Sequence, residues 1–241
     1  MVIRKLLAAI GIGIATSAQA VPPVPPRYAP YKNEAFNFIY NLLFCDDLEL
    51  FRSGENKNIE GPWVTLLAKN PDAAALRAIA EDTSQESRLR VLAYNRLREK
   101  KESVPPKKLL GVIIEVGLEG GLDVLAAFPD GRVRYLNHSE KMAVFEPAPP
   151  EIEAKIRKLL AASQTAVDCL GPWEKARLAP PSKGTVRMTF LVSDGLYFGQ
   201  GGLNDMQRDT MAGPIFAATE DLLLAVVDLT LKQEKKPDQG L

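Results

Sequence analysis

The sequence is poor in the residues that most often carry chemistry, with one histidine and two cysteines among 241 residues. A catalytic or metal site that needs two imidazoles is therefore excluded. The sequence also has no excess of either charge, since 30 basic residues balance 30 acidic ones. This balance argues against nucleic acid as a partner. The chain is nevertheless 46% hydrophobic and 25% charged, an ordinary globular composition that predicts a folded protein.

Long apolar runs are missing too, apart from one at the N-terminus. Residues 1–20 combine basic Arg4 and Lys5, an apolar run over 6–15 and a small-x-small end at Ala20, the three parts of a secretory signal peptide. We expect cleavage after Ala20, giving a periplasmic or secreted protein with no transmembrane span. The alternatives are a membrane anchor or a miscalled start codon, but the apolar run has only about half of the roughly 20 residues that a spanning helix needs.

Composition divides the rest of the chain into four parts. Residues 21–32 are proline-rich and predict an extended spacer. Residues 33–103 have helical periodicity, residues 107–232 mix strand and helix patterns, and residues 233–241 form a polar tail. The order predicts an α+β fold, in which an N-terminal helical segment precedes an antiparallel sheet, built from a meander and a hairpin and covered by helices.

The helical segment carries recognisable start signals. Apolar residues at helical spacing predict a first helix within residues 33–47. Asn70 followed by Pro71 predicts a capped helix start. Thr83 and Glu86 fit a capping box for the helix that follows.

The sheet is predicted from turn chemistry and from alternation of apolar and polar residues. Residues 109–117 are rich in β-branched side chains, and residues 121–137 form two extended runs joined by a Pro-Asp-Gly turn. Residues 186–192 alternate in polarity, as expected of a half-buried strand. A helix that closes at Gly171 precedes this strand, and a largely buried final helix is expected to start near Pro214.

His138 lies beside Ser139 in the polar segment 137–141, between two apolar runs. The pair could belong to a serine–histidine site, but neighbouring side chains on an extended backbone point to opposite faces, and the flanks do not resemble a nucleophile elbow. We interpret the segment as a turn between strands.

The two cysteines, Cys45 and Cys169, both fall late in predicted helices. An oxidising compartment would permit a disulfide between them, and small apolar core thiols are equally common. The sequence leaves both alternatives open.

We predict that the segment from Gly199 to Gly213 is a long polar loop with glycines at both ends. A long polar loop is the best candidate for ligand binding in this sequence. Its glycines do not have the spacing of a dinucleotide fingerprint and no phosphate-loop lysine is present, so no cofactor is expected. The candidate residues are Gly199, Gly201, Gly202, Asn204, Asp205, Arg208 and Asp209.

Acidic residues offer a competing hypothesis. Asp194, Asp205 and Asp209 could gather in space, but their spacing does not match a calcium loop, and no metal is predicted. Two further acidic sets are interpreted as surface charge, although the first follows a helix, where carboxylates are electrostatically unfavourable. These two sets are Asp46, Asp47 and Glu49, and Glu115, Glu119 and Asp123.

Two functions remain open from the sequence. The first is an exported, non-enzymatic protein that binds an unidentified protein or small molecule through a sheet edge or the 199–213 segment. The alternative is a hydrolase that works through the carboxylates of Asp194, Asp205 and Asp209.

Overall fold

The structure is a computed structural model and describes residues 27–53 and 60–234. The predicted signal peptide, half of the spacer at 21–32 and nearly all of the polar tail lie outside these residues. Within them, no helix is both long and apolar enough to cross a membrane. The end of the predicted spacer packs against the sheet, because Tyr31 is buried and its hydroxyl donates to the carbonyl of Leu122, 3.1 Å away.

The described chain forms eight helices and six strands. In chain order they are α1 (Glu34–Leu42), α2 (Leu48–Ser53), α3 (Pro62–Leu66), α4 (Ala73–Glu81), α5 (Ser87–Glu99), β1 (Leu109–Leu118), β2 (Gly121–Ala127), β3 (Val133–Leu136), β4 (Met142–Phe145), α6 (Pro150–Cys169), β5 (Thr185–Val192), β6 (Gly195–Gly202), α7 (Leu203–Arg208) and α8 (Ala212–Glu234).

The six strands form one antiparallel sheet in the order β4-β3-β2-β1-β5-β6. The meander β1–β4 and the hairpin β5–β6 meet where β5 pairs with β1. The predicted α+β fold is therefore confirmed. Pro129, Asp130 and Gly131 lie in the β2–β3 connection as expected, and Gly131 has a φ of 82°, which favours glycine.

Helices cover both faces of the sheet. Val112 and Ile114 of β1 point towards α6, α7 and α8, whereas Ile113 points towards α1–α5, as the alternation of side chains along a strand requires. The helical segment 33–103 thus shares one core with the sheet. Tyr40, on α1, has no exposed surface in that core.

Two predicted helix caps are wrong. The fourth helix is capped by Asp72, whose carboxylate accepts from the backbone N–H of Ala75 at 2.8 Å, and Asn70 lies outside it. The fifth helix has no capping box. Asp130, in the β2–β3 turn, accepts instead from the backbone N–H of Ser87 at 2.6 Å. A partner distant in sequence replaces the local cap.

The predicted loop from Gly199 to Gly213 is also wrong. Strand β6 continues to Gly202 and helix α7 follows at once. Met206 of α7 packs over Gly201, where an added Cβ would lie 3.0 Å from its sulfur. Because Gly201 has no side chain, α7 can pack close to β6.

The final helix starts at Ala212 and is less buried than predicted. Ile215 and Leu222 enter the core, but Leu224 and Leu231 are 71% and 49% exposed.

Cys45 and Cys169 are both free thiols, so the disulfide considered from the sequence is not formed. Cys45 is buried in the core that contains α1–α5, and Cys169 is exposed at the end of α6 on the other face of the sheet. The sheet separates them.

Candidate functional site

The long connection between α6 and β5, residues 170–184, builds one wall of the candidate site. Near its start, the backbone N–H of Trp173 donates to the carbonyl of Leu196 on β6 at 2.7 Å. Near its end, the carbonyl of Ser182 lies so close to β1 that a Cβ on Gly117 would be 2.1 Å from it. Only glycine permits this approach, and the connection is fixed at both ends.

Arg177 anchors the middle of this connection in the core. Its side chain is 2% exposed, and Nε donates to Oδ2 of Asp46 at 2.8 Å. The guanidinium also donates to Oδ1 of Asn41 at 3.0 Å and lies 3.8 Å from the ring centroid of Phe44. An ion pair, hydrogen bonds and a cation–π contact therefore hold the connection against α1 and the segment that follows it.

A second buried charge pair lies behind Arg177 on the sheet. Tyr40 donates to Oε1 of Glu115 at 2.7 Å, and the guanidinium of Arg187 lies 3.7 Å from Oε2. Burial raises the pKa of the Glu115 carboxyl, and the Tyr40 hydrogen bond and the Arg187 charge oppose this. Arg187 also donates twice to Oε1 of Gln200, at 2.8 and 2.6 Å, which ties the network to β6.

The prediction of surface charge is wrong for Asp46, Asp47 and Glu115. Glu115 has no exposed surface, Asp47 is 4% exposed, and the Asp46 side chain is 20% exposed. Their partners are distant in the sequence, Arg177 for Asp46 and Arg27 for Asp47. A carboxylate is buried when such a cation neutralises it, and sequence periodicity does not reveal these pairs.

A cavity of about 410 Å³ opens where this connection meets the β5–β6 turn and the end of α1. We call it the Trp173 pocket. It is lined by Asp46, Arg98, Pro172, Trp173, Glu174, Lys175, Ala176, Arg177, Asp194, Gly195 and Leu196.

Two carboxylate oxygens in the wall of the Trp173 pocket are buried and accept no hydrogen bond from the described part of the chain. They are Oδ1 of Asp46 and Oδ1 of Asp194. The other oxygen of each is occupied, since Asp46 pairs with Arg177 and Asp194 accepts from the Tyr197 hydroxyl at 3.1 Å. Burial raises the pKa of Asp46, and the Arg177 charge opposes that rise. A buried acceptor without a donor is costly, so a ligand that brought donors within reach of these two oxygens would be stabilised.

Several other polar groups of the pocket already have partners. Arg98 donates to the carbonyl of Ser193 at 2.9 Å and to Oδ1 of Asn95 at 2.8 Å. The Trp173 indole donates to the carbonyl of Ala176 at 3.0 Å, which fixes the ring. The ammonium of Lys175, an exposed residue, lies 5.5 Å from the Trp173 ring centroid, so the ring face is within reach of a cation.

The three carboxylates of the alternative hydrolase hypothesis are not brought together. Asp194 lies in the turn before β6, whereas Asp205 is on α7 and Asp209 follows it. The eight residues of β6 separate Asp194 from α7 by roughly 26 Å, at about 3.3 Å per residue. Within residues 27–53 and 60–234, no three His, Cys, Asp or Glu side chains form a group that could hold a metal ion.

The remaining candidates are distributed along β6 and α7. Gly199, Gly201 and Gly202 lie in β6, and Asn204 and Arg208 are on α7. Asp209 has a structural role, because its Oδ1 accepts from the backbone N–H groups of Met211 and Ala212 at 2.8 and 2.7 Å near the start of α8. These hydrogen bonds lower the Asp209 pKa.

His138 lies in the β3–β4 turn, as predicted. Its Nδ1 is 2.8 Å from Oδ1 of Asp123, whereas the Ser139 hydroxyl donates to Oδ1 of Asn137 at 3.0 Å. Serine and histidine therefore have separate partners, and the interpretation as a turn is confirmed.

Sequence reasoning included Asp194 but missed Asp46 and Trp173. A signal for Asp46 was present, since carboxylates directly after a helix are unfavourable unless something compensates them. No local pattern marked Trp173, because the neighbours that make it part of a pocket come from distant segments.

Comparison of the chain with protein-family models, with curated proteins and with solved structures gave no match. We therefore infer function from the geometry of the Trp173 pocket.

Proposed function

We propose that the protein is an exported, non-enzymatic binding protein whose ligand is a small molecule with a protonated amine, held in the Trp173 pocket. The observation that carries this proposal is the pair of buried acceptors, Oδ1 of Asp46 and Oδ1 of Asp194, that have no donor in the described chain. The signal-peptide character of residues 1–20 supports export.

An ammonium group fits these acceptors because it offers three donors and a positive charge. It would hydrogen-bond the two carboxylates and lie near the Trp173 ring, where it would take the place of the exposed Lys175 ammonium. The volume of about 410 Å³ is in the range of small-molecule pockets, about 300 to 1,000 Å³.

Binding is favoured over hydrolysis by the chemistry of the lining. Among the described residues that line the pocket there is no serine, threonine, cysteine or histidine, so a hydroxyl or thiol nucleophile paired with an imidazole base is lacking. The carboxylate hydrolase considered from the sequence also loses support, since Asp194 lies at the opposite end of β6 from Asp205 and Asp209.

The experiment is a calorimetric titration with a panel of small primary amines, including amino acids and diamines, beside alcohols and carboxylates of matched shape. We expect saturable binding of at least one amine and none of its alcohol analogue. Mass spectrometry of the recovered ligand should show it chemically unchanged. Binding of the carboxylates alone would refute the proposed ligand class, and turnover of the ligand would refute the non-enzymatic role.

The key variant is Asp194→Asn, because asparagine can still accept from Tyr197 while the negative charge is lost. It should weaken amine binding at least about tenfold, which corresponds to about 1.4 kcal/mol. The matched control is Asp168→Asn on α6, outside the pocket lining, and it should bind as the wild type does.

A further inference from the structure

Strand β6 is an outer strand of the sheet, and its pairing shows which peptide groups face outwards. The N–H of Leu203 donates to the carbonyl of Gly184 at 2.9 Å, which places Gly202 at a non-hydrogen-bonded position opposite β5. The N–H and C=O of Gly202 therefore point away from the sheet. Alternation along the strand then gives Gln200 and Phe198 the same outward orientation.

Part of this edge is already covered and part is open. The backbone N–H of Trp173 donates to the outward carbonyl of Leu196. Beyond it, the outward backbone of Phe198 and Gln200 and the N–H of Gly202 have no hydrogen-bond partner in the described chain. The carbonyl of Gly202, the N-cap of α7, instead begins that helix. The open part of the edge is thus the segment from Phe198 to Gly202.

This segment lacks the usual protection of edge strands, which is charge, proline, a bulge or short length. It contains no charged residue and no proline, and three of its five residues are glycine. An added Cβ on Gly199 would have no atom within 4 Å. The opposite edge differs, since β4 has four residues and lies between Lys141 and the Glu146–Pro147 pair.

We propose that the segment from Phe198 to Gly202 pairs with the same segment of a second copy of this chain, antiparallel about a two-fold axis at Gln200. In this register Phe198 lies opposite Gly202 of the second copy, and Gly199 lies opposite its Gly201. About four backbone hydrogen bonds form, two at the Gln200 pair and one at each Phe198–Gly202 pair, since the Gly202 carbonyl already begins α7. The two sheets of six strands then become one continuous sheet.

The residues favour a second copy over an unrelated strand because the segment is self-complementary. An aromatic ring opposite a glycine covers the space that the missing side chain leaves, and the two-fold provides this pairing twice. The segment contains no charged residue. A two-fold contact, which places each residue near its own copy, therefore brings no like charges together. This inference does not depend on the amine site.

The first test is the molar mass of the full-length protein and of Gly202→Pro, by light scattering over a range of concentrations. Gly202 has a φ of −61°, which proline adopts, and the N–H that proline removes faces outwards. The added Cβ would approach only Oδ2 of Asp205, at 3.1 Å, the end of a flexible side chain. The wild type should be a dimer and Gly202→Pro a folded monomer with an unchanged circular dichroism spectrum.

The control is Val144→Lys on the β4 edge, which should stay dimeric. A wild type that is monomeric at every concentration, or a Gly202→Pro variant that stays dimeric, would overturn the proposal. So would a monomeric Val144→Lys, because it would assign the dimer to the other edge.

The register has its own test in Gln200→Cys, made in a Cys169→Ser background. At a hydrogen-bonded pair on the axis the two Cα atoms are about 5.5 Å apart, within the range that a disulfide spans. Mild oxidation should join two chains through this residue. A dimer that shows no such cross-link would overturn the register.

Discussion

Replacing Arg177 with alanine should lower the free energy of unfolding by about 4 kcal/mol at pH 8, the middle of the range for breaking a buried ion pair. The variant leaves the Asp46 carboxylate, 20% exposed, without its ion-pair partner. It also removes the guanidinium that lies against the rings of Phe44, Tyr28 and Tyr40. The loss is large because the remaining charge is buried, and an exposed pair would contribute about 0 to 1 kcal/mol.

The effect of Arg177→Ala should depend on pH. Burial raises the Asp46 pKa even beside Arg177, and removal of the arginine takes away the influence that opposes this rise. A carboxyl whose pKa is raised on folding favours the folded state at low pH, and this contribution is lost as pH rises through the folded-state pKa. The deficit relative to wild type should therefore be smaller near pH 4 than at pH 8.

Urea denaturation at the two pH values measures both quantities. The double variant Arg177→Ala, Asp46→Asn should recover part of the loss at pH 8, because it removes the uncompensated charge. A deficit below about 1 kcal/mol that is equal at both pH values would refute the assignment of a buried ion pair.

Three further predictions concern other sites. Cys169 should react with a thiol reagent in the folded protein, and Cys45 only after unfolding, because burial raises its pKa to about 12; equal rates would contradict their placement. Gly117→Ala should destabilise the protein by about 2 to 3 kcal/mol in urea titrations, whereas Gly171→Ala, with open space around its Cβ, should change stability by less than about 0.5 kcal/mol. His138→Ala should change stability by less than about 1 kcal/mol, since its side chain is 47% exposed, and a larger loss would contradict a minor role for its contact with Asp123.

The parts of the fold that follow from the sequence are those whose signals are local. The β-branched run of β1, the Pro-Asp-Gly turn and the alternation in β5 are patterns of adjacent residues, and each element lies where predicted. The half-burial predicted for β5 is wrong, because Arg187 and Thr189 are buried beneath the α1–α5 side of the sheet. Helix α6 is also recognisable, from prolines at its start and the apolar face of Ile152 and Ile156.

The elements that the sequence did not predict depend on distant contacts. Glycines indicated a loop at 199–213, but Met206 packs on Gly201 and the segment forms the end of β6, helix α7 and the start of α8. The cap of α5 comes from Asp130 in the sheet. In both places a tertiary contact decided the structure that local propensity left open.

The candidate site was only partly predictable for the same reason. Asp194 was among the residues considered, but the structure groups it with Asp46 and Trp173 instead of Asp205 and Asp209. Asp46 is buried because Arg177 neutralises it, and these two residues are 131 positions apart. Such a pair has no signature in one sequence.

The most direct test of the amine-binding account is a titration followed through the indole N–H resonances of the two tryptophans, Trp63 and Trp173. Trp173 lines the pocket, whereas Trp63 stacks on Phe51 outside the pocket lining and serves as an internal control. The account predicts a saturable shift of the Trp173 resonance on addition of a small primary amine, with Trp63 unchanged and the shift lost in Asp194→Asn. An amine that binds without moving the Trp173 resonance, or that moves both resonances equally, would contradict it.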